Sequence, residues 1–349
     1  MNPQAVCRTT NWLARVGVVM LAALMLILAL SLPGRAAGER KYVLATANIA
    51  GTYYPVGVAL ATLTKIKLEP GYGLSLTAVR SAGSAENLEL MRKGDAQFAI
   101  LQGLYGSWAW EGKGQFAGQS PQTNLRSITM LWQNVEHFIV QSDYVQSGTV
   151  ADLENLTGKR ASLGQGQSGS IGSSSYIMAS LGWEARDDFE LVDLTYNDSA
   201  EAIRQGTIQV MSIPGGPPVT AVARAFSALG KDIRVLDFTE EQMGLVNRRQ
   251  PLWSEYVIKA NTYQGQDRPI RTIAQPNFLA VNADIGDEDV YHIVKTIYNN
   301  LDFLHNIHPV TAAMQLEEAI SGLPVPLHPG AARYYREMGV EIPDALISR

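Results

Sequence analysis

The chain has 349 residues, 46% of them hydrophobic and 17% charged, with a net charge of −5. That length allows two compact lobes, and the composition is that of a globular protein rather than a disordered one. The negative balance, with no cluster of Lys and Arg, excludes a nucleic-acid footprint, so nucleic acid is not an expected partner.

Residues 1–36 stand apart. They carry Arg8 and Arg15, no acidic residue, and an apolar run from Val16 to Leu32 closed by Pro33-Gly34. Charge, apolar stretch and small residues at Gly34 and Ala36 follow the order of an export signal cut near Ala36. The run is long for a signal and short for a span, so an uncleaved anchor is the alternative. Cys7, the one cysteine, precedes the run, which argues against lipid anchoring and leaves the mature chain without disulfide or thiolate chemistry.

Beyond that segment a strand–loop–helix unit occurs twice. The first copy runs from strand Tyr42–Leu44 through a small-residue loop, Ala45 to Thr52, into a helix opening at Tyr53-Tyr54-Pro55. Val56, Ala59, Leu60 and Leu63 give that helix an apolar stripe, and Pro55 suits its first turn. Leu68 to Tyr72 reads as a turn and Leu74 to Val79 as a strand, with a helix start at Ser84. Phe98–Leu101 is the next strand, ending at Gln102-Gly103. His137 to Gln141 is a strand that makes the first crossing between lobes. The second copy is strand Ala161–Leu163, the loop Gly164 to Ser170, a return helix Ala200 to Gln205, and strand Val210–Ile213 ending at Pro214-Gly215-Gly216-Pro217. Pro218 to Leu229 is helical, Thr272 to Val281 is the strand of the return crossing, and residues 288–306 and 311–320 read as helices. Leu323 to Gly339 closes the chain with turns and one more helix. Two crossings side by side make a pair of parallel straps, the hinge of a closing clamp.

Gly164-Gln165-Gly166-Gln167-Ser168-Gly169 matches G-x-G-x-x-G between a strand and a helix, the context of a dinucleotide site, with Asp193 or Glu190 at the offset of a ribose partner. The same loop can hold a smaller anion. Ser168, Gly169 and Ser170 open a helix whose first N–H groups are unpaired and partly positive. Gly51, Thr52 and Tyr53 offer the same device from the other lobe, and Ser84 from a third helix start, although each Ser or Thr can simply cap its own helix. Arg80, at a strand end beside Ser81, is a candidate charge partner. His305 and His308 are spaced i, i+3 but sit before Pro309 as a helix end, and neither G-x-S-x-G nor H-E-x-x-H occurs. Trp108 and Trp110 read as core aromatics that could also reach the cleft. No metal site and no catalytic constellation is predicted, and no enzyme is expected.

Several of these segments together resemble the TAXI-type solute receptors of TRAP transporters, which are periplasmic binding proteins. Gly51-Thr52-Tyr53-Tyr54-Pro55-Val56-Gly57 looks like the family's first loop and helix start, and Gly83-Ser84-Ala85-Glu86-Asn87-Leu88 like its second. Gln102 falls at the matching strand end, and Ser168-Gly169-Ser170 at the family's Ser-Gly-Thr turn. The run Pro324 to Tyr335 is similar to the family's C-terminal segment. The resemblance covers about Lys41 to Gly339. It implies an α/β protein of the two-lobed, type II (Venus-flytrap) periplasmic binding protein class with a ligand cleft between the lobes. By the reading of the chain, lobe 1 would be residues 40–140 with 277–349, and lobe 2 residues 141–276. Carried over, the ligand positions are Thr52, Tyr53, Ser84, Gln102, Ser168, Gly169, Ser170 and Pro217. The departures are the glycine-poor loop Ala45 to Ala50, where Ile49 would add bulk, Ala82 in place of glycine, and Gly103-Leu104 in place of a polar pair. They fit a narrower or less polar pocket.

The expected function is therefore a periplasmic solute receptor. It would capture a small organic acid (dicarboxylate, 2-oxo acid or amino acid) by hinge closure and deliver it to TRAP membrane permease subunits, as a monomer and without a cofactor. A ligand-sensing receptor, tethered or exported, is the alternative, and an exported NAD(P)-dependent oxidoreductase using Gly164–Gly169 the third reading.

Overall fold

The computed structural model describes residues 38–347, so the export signal and its cleavage lie outside the described residues. Strand β1 (Arg40–Ala45) pairs in parallel with β2 (Leu74–Val79) on one side and β3 (Phe98–Gln102) on the other. Helix α1 (Tyr53–Lys67) buries Val56, Ala59, Leu60 and Leu63, the stripe expected from their spacing. Helices α2 (Ser84–Lys93) and α3 (Gly103–Glu111) follow β2 and β3 directly. All five residues of β3 are buried, as a strand covered on both faces requires.

The next strand, β4 (Leu125–Val135), is long and was not expected from the sequence. Its chain runs on through Glu136 and His137 into β5 (Phe138–Gln141), which belongs to a second sheet. That sheet has the order β7-β6-β8-β5-β9, with β6 (Arg160–Ser162), β7 (Glu190–Leu191), β8 (Val210–Ser212) and β9 (Ile233–Val235). Helices α4 (Gly169–Leu181), α5 (Tyr196–Arg204), α6 (Thr220–Leu229) and α7 (Glu240–Asn247) accompany it. The chain then returns by β10 (Ser254–Ile258) and the thirteen-residue strand β11 (Ile270–Asn282), which completes the first sheet by pairing with β10, β3 and β4. Helices α8 (Asp287–Tyr298) and α9 (Pro329–Glu337) close the first lobe.

Two crossings connect the lobes, through Glu136-His137 and along β11, and the straps run antiparallel rather than parallel. A chain that leaves and returns reverses direction, and β4 and β11 use this to pair from Leu125↔Asn282 to Val135↔Ala274. Pairing continues beyond β4: Glu136 N donates to Ile273 O at 2.9 Å and Thr272 Oγ1 to Glu136 O at 2.8 Å. The lobe boundaries expected at 140/141 and 276/277 fall within β5 and in the middle of β11.

Other local expectations need correction. Residues 69–72 form a short helical turn ended by Gly73 at φ 63°. The run 288–306 is broken after Tyr298, where Asn300 leaves the helical region and its Nδ2 donates back to Thr296 O. Residues 311–320 are not a helix. They form two short 3-10 turns, Pro309–Ala313 and Leu316–Glu318, separated where fully buried Met314 swings the backbone into an extended conformation.

Phe278 on β11 anchors the strap pair in the first core. It is fully buried and its ring lies where a side chain at Gly106 of α3 would sit, which explains a glycine within that helix. Phe278→Ala should lower unfolding stability by about 3–5 kcal/mol through lost transfer energy and a residual cavity. Urea titration should register this as a lower midpoint at unchanged slope.

Candidate functional site

Four helix starts surround one pocket between the sheets. At the first, Asn48 turns the loop by accepting from Ala50 N through its side chain (2.9 Å) and from Gly51 N through its carbonyl (3.1 Å). Thr52 precedes α1 without a side-chain cap bond. At the second, Asn87 donates to Thr46 O (2.7 Å) and Ile100 O (2.9 Å), tying the loops after β1 and β2 to β3. Gly83, at φ 129°, leads into Ser84, whose Oγ accepts from Gln102 N at 3.1 Å.

The third start belongs to the other lobe. Gly164 has φ 106°, and a Cβ there would lie 2.1 Å from Ser170 Oγ, so both backbone and space demand glycine. Ser168 Oγ caps Ile171 N at 3.3 Å and meets Ser170 Oγ at 2.8 Å. Both carboxylate oxygens of Asp193 accept from Gly166 N, at 2.8 and 2.9 Å, so the acid offered as a ribose partner serves to hold its own loop. At the fourth start Thr195 caps α5, and Tyr196 donates its hydroxyl to Pro214 O at 2.7 Å.

The pocket between these starts is lined by Thr52, Tyr53, Ser84, Gln102, Ser168, Gly169 and Ser170, seven of the nine positions singled out in the sequence. The other two lie elsewhere. Arg80 is exposed at the end of β2, and Pro217, joined to Pro218 by a cis bond, sits beyond the lining residues Pro214 and Gly215. Ile49, expected to add bulk near the pocket, is 57% exposed and is not among its lining residues. Trp108 packs against the core and is not among the lining residues. Asn48, Asn134, Gln165 and Tyr196 line the pocket without having been singled out. Asn134 had a signal of a kind, a polar side chain within an otherwise apolar stretch of β4.

No lining residue is Lys, Arg, His, Asp or Glu. Positive potential comes instead from backbone. The N–H groups of Tyr53, Ser84, Gly169 and Ser170 have no acceptor among the described residues, as the first turn of a helix dictates. Two buried side chains of the lining are also incompletely paired. Gln102 Oε1 and Asn134 Nδ2 have no partner, although Asn134 Oδ1 accepts from Asn277 Nδ2 at 3.2 Å. Tyr53 donates its hydroxyl to Asn277 Oδ1, linking α1 to both straps. Among the described residues no group of three His, Cys, Asp or Glu is placed to hold a metal.

The lobes touch across the pocket mouth. Glu86 N donates to Gln167 O at 3.2 Å and Tyr105 Oη to Ser168 O at 3.1 Å. Contact this close needs glycine on α4. A Cβ on Gly169 would meet Gln102 Oε1 at 2.7 Å, and one on Gly172, a turn further on, would meet Tyr105 Oη at 2.0 Å. This is a closed clamp.

Behind the pocket the strap carries two buried titratable groups. Burial pushes the Glu136 carboxyl up to about 8; the polar groups of Trp253, Gln275 and Ser173 approach and oppose the shift, but neither oxygen has a partner at hydrogen-bonding distance. Burial also depresses His137 to about 4. Its Nδ1 lies 2.9 Å from Val135 O and its Nε2 2.9 Å from Tyr263 Oη, which fits the neutral ring.

Residues 44–339 match the NMT1-like family. The chain belongs to that family. Among solved structures it is similar to MatC from Rhodopseudomonas palustris with bound malate, at 12% identity over 86% of this chain and 97% of MatC, with TM-score 0.51. A structure from Bordetella bronchiseptica RB50 matches at 14% identity, TM-score 0.50, covering 87% of this chain and 90% of that one. The periplasmic aliphatic sulphonate binding protein SsuA of Escherichia coli aligns at 16% identity and TM-score 0.46, over 86% and 88%. The fold is that of the two-lobed periplasmic solute-binding proteins.

Two predictions follow from the geometry. Gly172→Ala adds a methyl group against Tyr105 without touching the pocket lining, while alanine itself favours the helix. It should leave ligand-free thermal stability equal or higher and weaken ligand binding at least tenfold, read by equilibrium titration. For Glu136, the folded carboxyl keeps its proton up to about 8, whereas the unfolded one loses it near 4.5. Between those values the folded state holds the extra proton, so this group lowers stability as pH rises, by up to about 1.4 kcal/mol per unit. Neighbouring His137 acts oppositely, its contribution rising between about 4 and 6.5. Glu136→Gln should therefore gain over the wild type as pH goes from 5 to 7.5, by up to about 3 kcal/mol in denaturant titrations. Equal gains at both pH values would contradict the buried-acid account.

Proposed function

We propose that the protein is an extracytoplasmic receptor that captures a small organic anion between its lobes and delivers it to a membrane permease of the TRAP type. One observation carries this reading. Helix starts from both lobes turn unpaired N–H groups and Ser or Thr hydroxyls onto one closed pocket, where the buried donor Asn134 Nδ2 also lacks an acceptor. A negative group entering there meets donors already fixed in place, which lowers the cost of ordering on binding.

The lobes close over the ligand because it adds contacts available only in the closed form, and that differential affinity shifts the population. The closed form is then what a membrane partner reads. The TAXI-like order of Gly51–Gly57, Gly83–Leu88 and Ser168–Ser170 supports a TRAP partner, and malate in the MatC structure supports an organic acid as cargo. With no His, Lys, Asp or Glu in its lining to activate the serine and threonine hydroxyls, the site is built to bind and release.

The test is thermal unfolding of the purified protein, stripped of carried-over ligand by unfolding and refolding, against organic acids, sugars and polyamines. A ligand at a hundred times its Kd adds about 2.7 kcal/mol. For a chain of this size that raises Tm by roughly 4 °C. The effect is expected with organic acids only. Replacing Ser168 and Ser170 together by Ala should weaken binding about tenfold or more, since hydrogen bonds to a charged group are worth roughly 1.5–3 kcal/mol each. Stabilisation by a sugar or a polyamine instead would overturn the reading.

A further inference from the structure

We infer that closing the clamp takes up one proton from solvent onto the carboxyl of Glu136, so that binding of the anion weakens as pH rises. The inference rests on the reading that the lobes close over an anion, and it adds a proton to that event.

Position comes first. Side chains alternate along an extended strand, so Glu136 shares a face with Asn134, two residues earlier, which lines the pocket. Gln275 reaches the same face from β11, where it pairs with Asn134. Glu136 therefore sits in the hinge, and groups from both lobes converge on it. Tyr53 of α1 approaches from the first lobe, and Tyr196 of α5 and Ser173 of α4 from the second. Trp253, just before β10, completes the surround.

The surround holds polar groups but no ion. The groups acting on the carboxyl are the indole N–H of Trp253, the amide of Gln275 and the hydroxyl of Ser173. None of them reaches it. Trp253 Nε1, Gln275 Nε2 and both Glu136 oxygens are buried without a partner. Gln275 is held in place because its Oε1 accepts from Leu104 N, at the start of α3, at 2.8 Å. Ser173 Oγ is turned to Ser170 O at 3.3 Å. A carboxylate here would be dry and unpaired, so in the closed form the group keeps its proton up to about 8.

Opening changes this. It draws Tyr53 and Leu104 away from Tyr196 and Ser173, and water entering the gap returns the carboxyl toward its ordinary value near 4.5. Between those two values the closed form holds one proton more than the open form. Affinity then falls with rising pH, by up to about tenfold per unit. His137, next in the chain, turns instead to Val135 O and Tyr263, partners that stay with it when the lobes part.

The experiment is isothermal titration of the purified, stripped protein with malate, pyruvate, 2-oxoglutarate and glutamate, whose charges stay fixed between pH 6.5 and 7.5. The tightest of these is expected to lose about five- to tenfold in affinity over that interval. Added to the protein in unbuffered salt at pH 7 under a pH-stat, it should consume close to one equivalent of acid. In Glu136→Gln, an isostere of the neutral acid, both effects should vanish. Should that variant fail to fold, the acid consumption of the wild type decides alone. Binding with no acid consumed, or a pH dependence unchanged in Glu136→Gln, overturns this inference while the anion-receptor reading stands. If none of the four anions binds, both fall.

Discussion

The pairing of β4 with β11 is the constraint on which the rest of the molecule depends. Each strand begins in one lobe and ends beside the other, and nine residue pairs, interrupted by two bulges, hold them together. Because the ladder runs on through Glu136 and Thr272, the two crossings cannot slide independently. They can bend and twist together. Two adjacent crossings of this kind set the line about which the lobes move, and so which surfaces meet when they close. Asn277 on one strap and Asn134 on the other are joined side chain to side chain, and Tyr53 reaches Asn277 from α1. Pocket and hinge thus share residues.

Closure works by subtraction. Where α4 meets the first lobe, the contacting positions are Gly169 and Gly172, with Gly83 facing them, and any side chain there would hold the lobes apart. The small residues are required by the close approach of two backbones, and the approach in turn brings the N–H groups of separate helices onto one point. The electrostatics have the same economy. The pocket has no ionised side chain in its lining, and the acid and imidazole behind it are both kept neutral by burial. Attraction for an anion then comes from fixed dipoles, which need no reorganisation when the ligand arrives.

Much of this was legible in the sequence because local rules governed it. The α1 stripe Val56, Ala59, Leu60 and Leu63, strand Leu74–Val79, and the Ser and Gly residues at three helix starts follow from periodicity and capping chemistry. The β-rich runs near His137 and Thr272 were also visible, and strands β5 and β11 stand there. The long strand β4 was not, because polar Gln133 and Asn134 interrupt its apolar pattern, Asn134 because it lines the pocket. Arg80 shows the limit of reading charge from a strand end: sequence places it near Ser81, but only the fold decides that its side chain faces solvent. Ile49 erred in the other direction, since a loop can turn a bulky side chain outward. Helicity over 311–320 failed because burial of Met314 outweighed local propensity.

The central claim is that two lobes joined by the β4–β11 ribbon close on a ligand. Small-angle X-ray scattering of the stripped protein, alone and saturated with its best-binding organic acid, tests it most directly. The account predicts a larger radius of gyration without ligand and a compact one with it, matching the closed structure described here. An identical radius in both conditions, already compact without ligand, would contradict it.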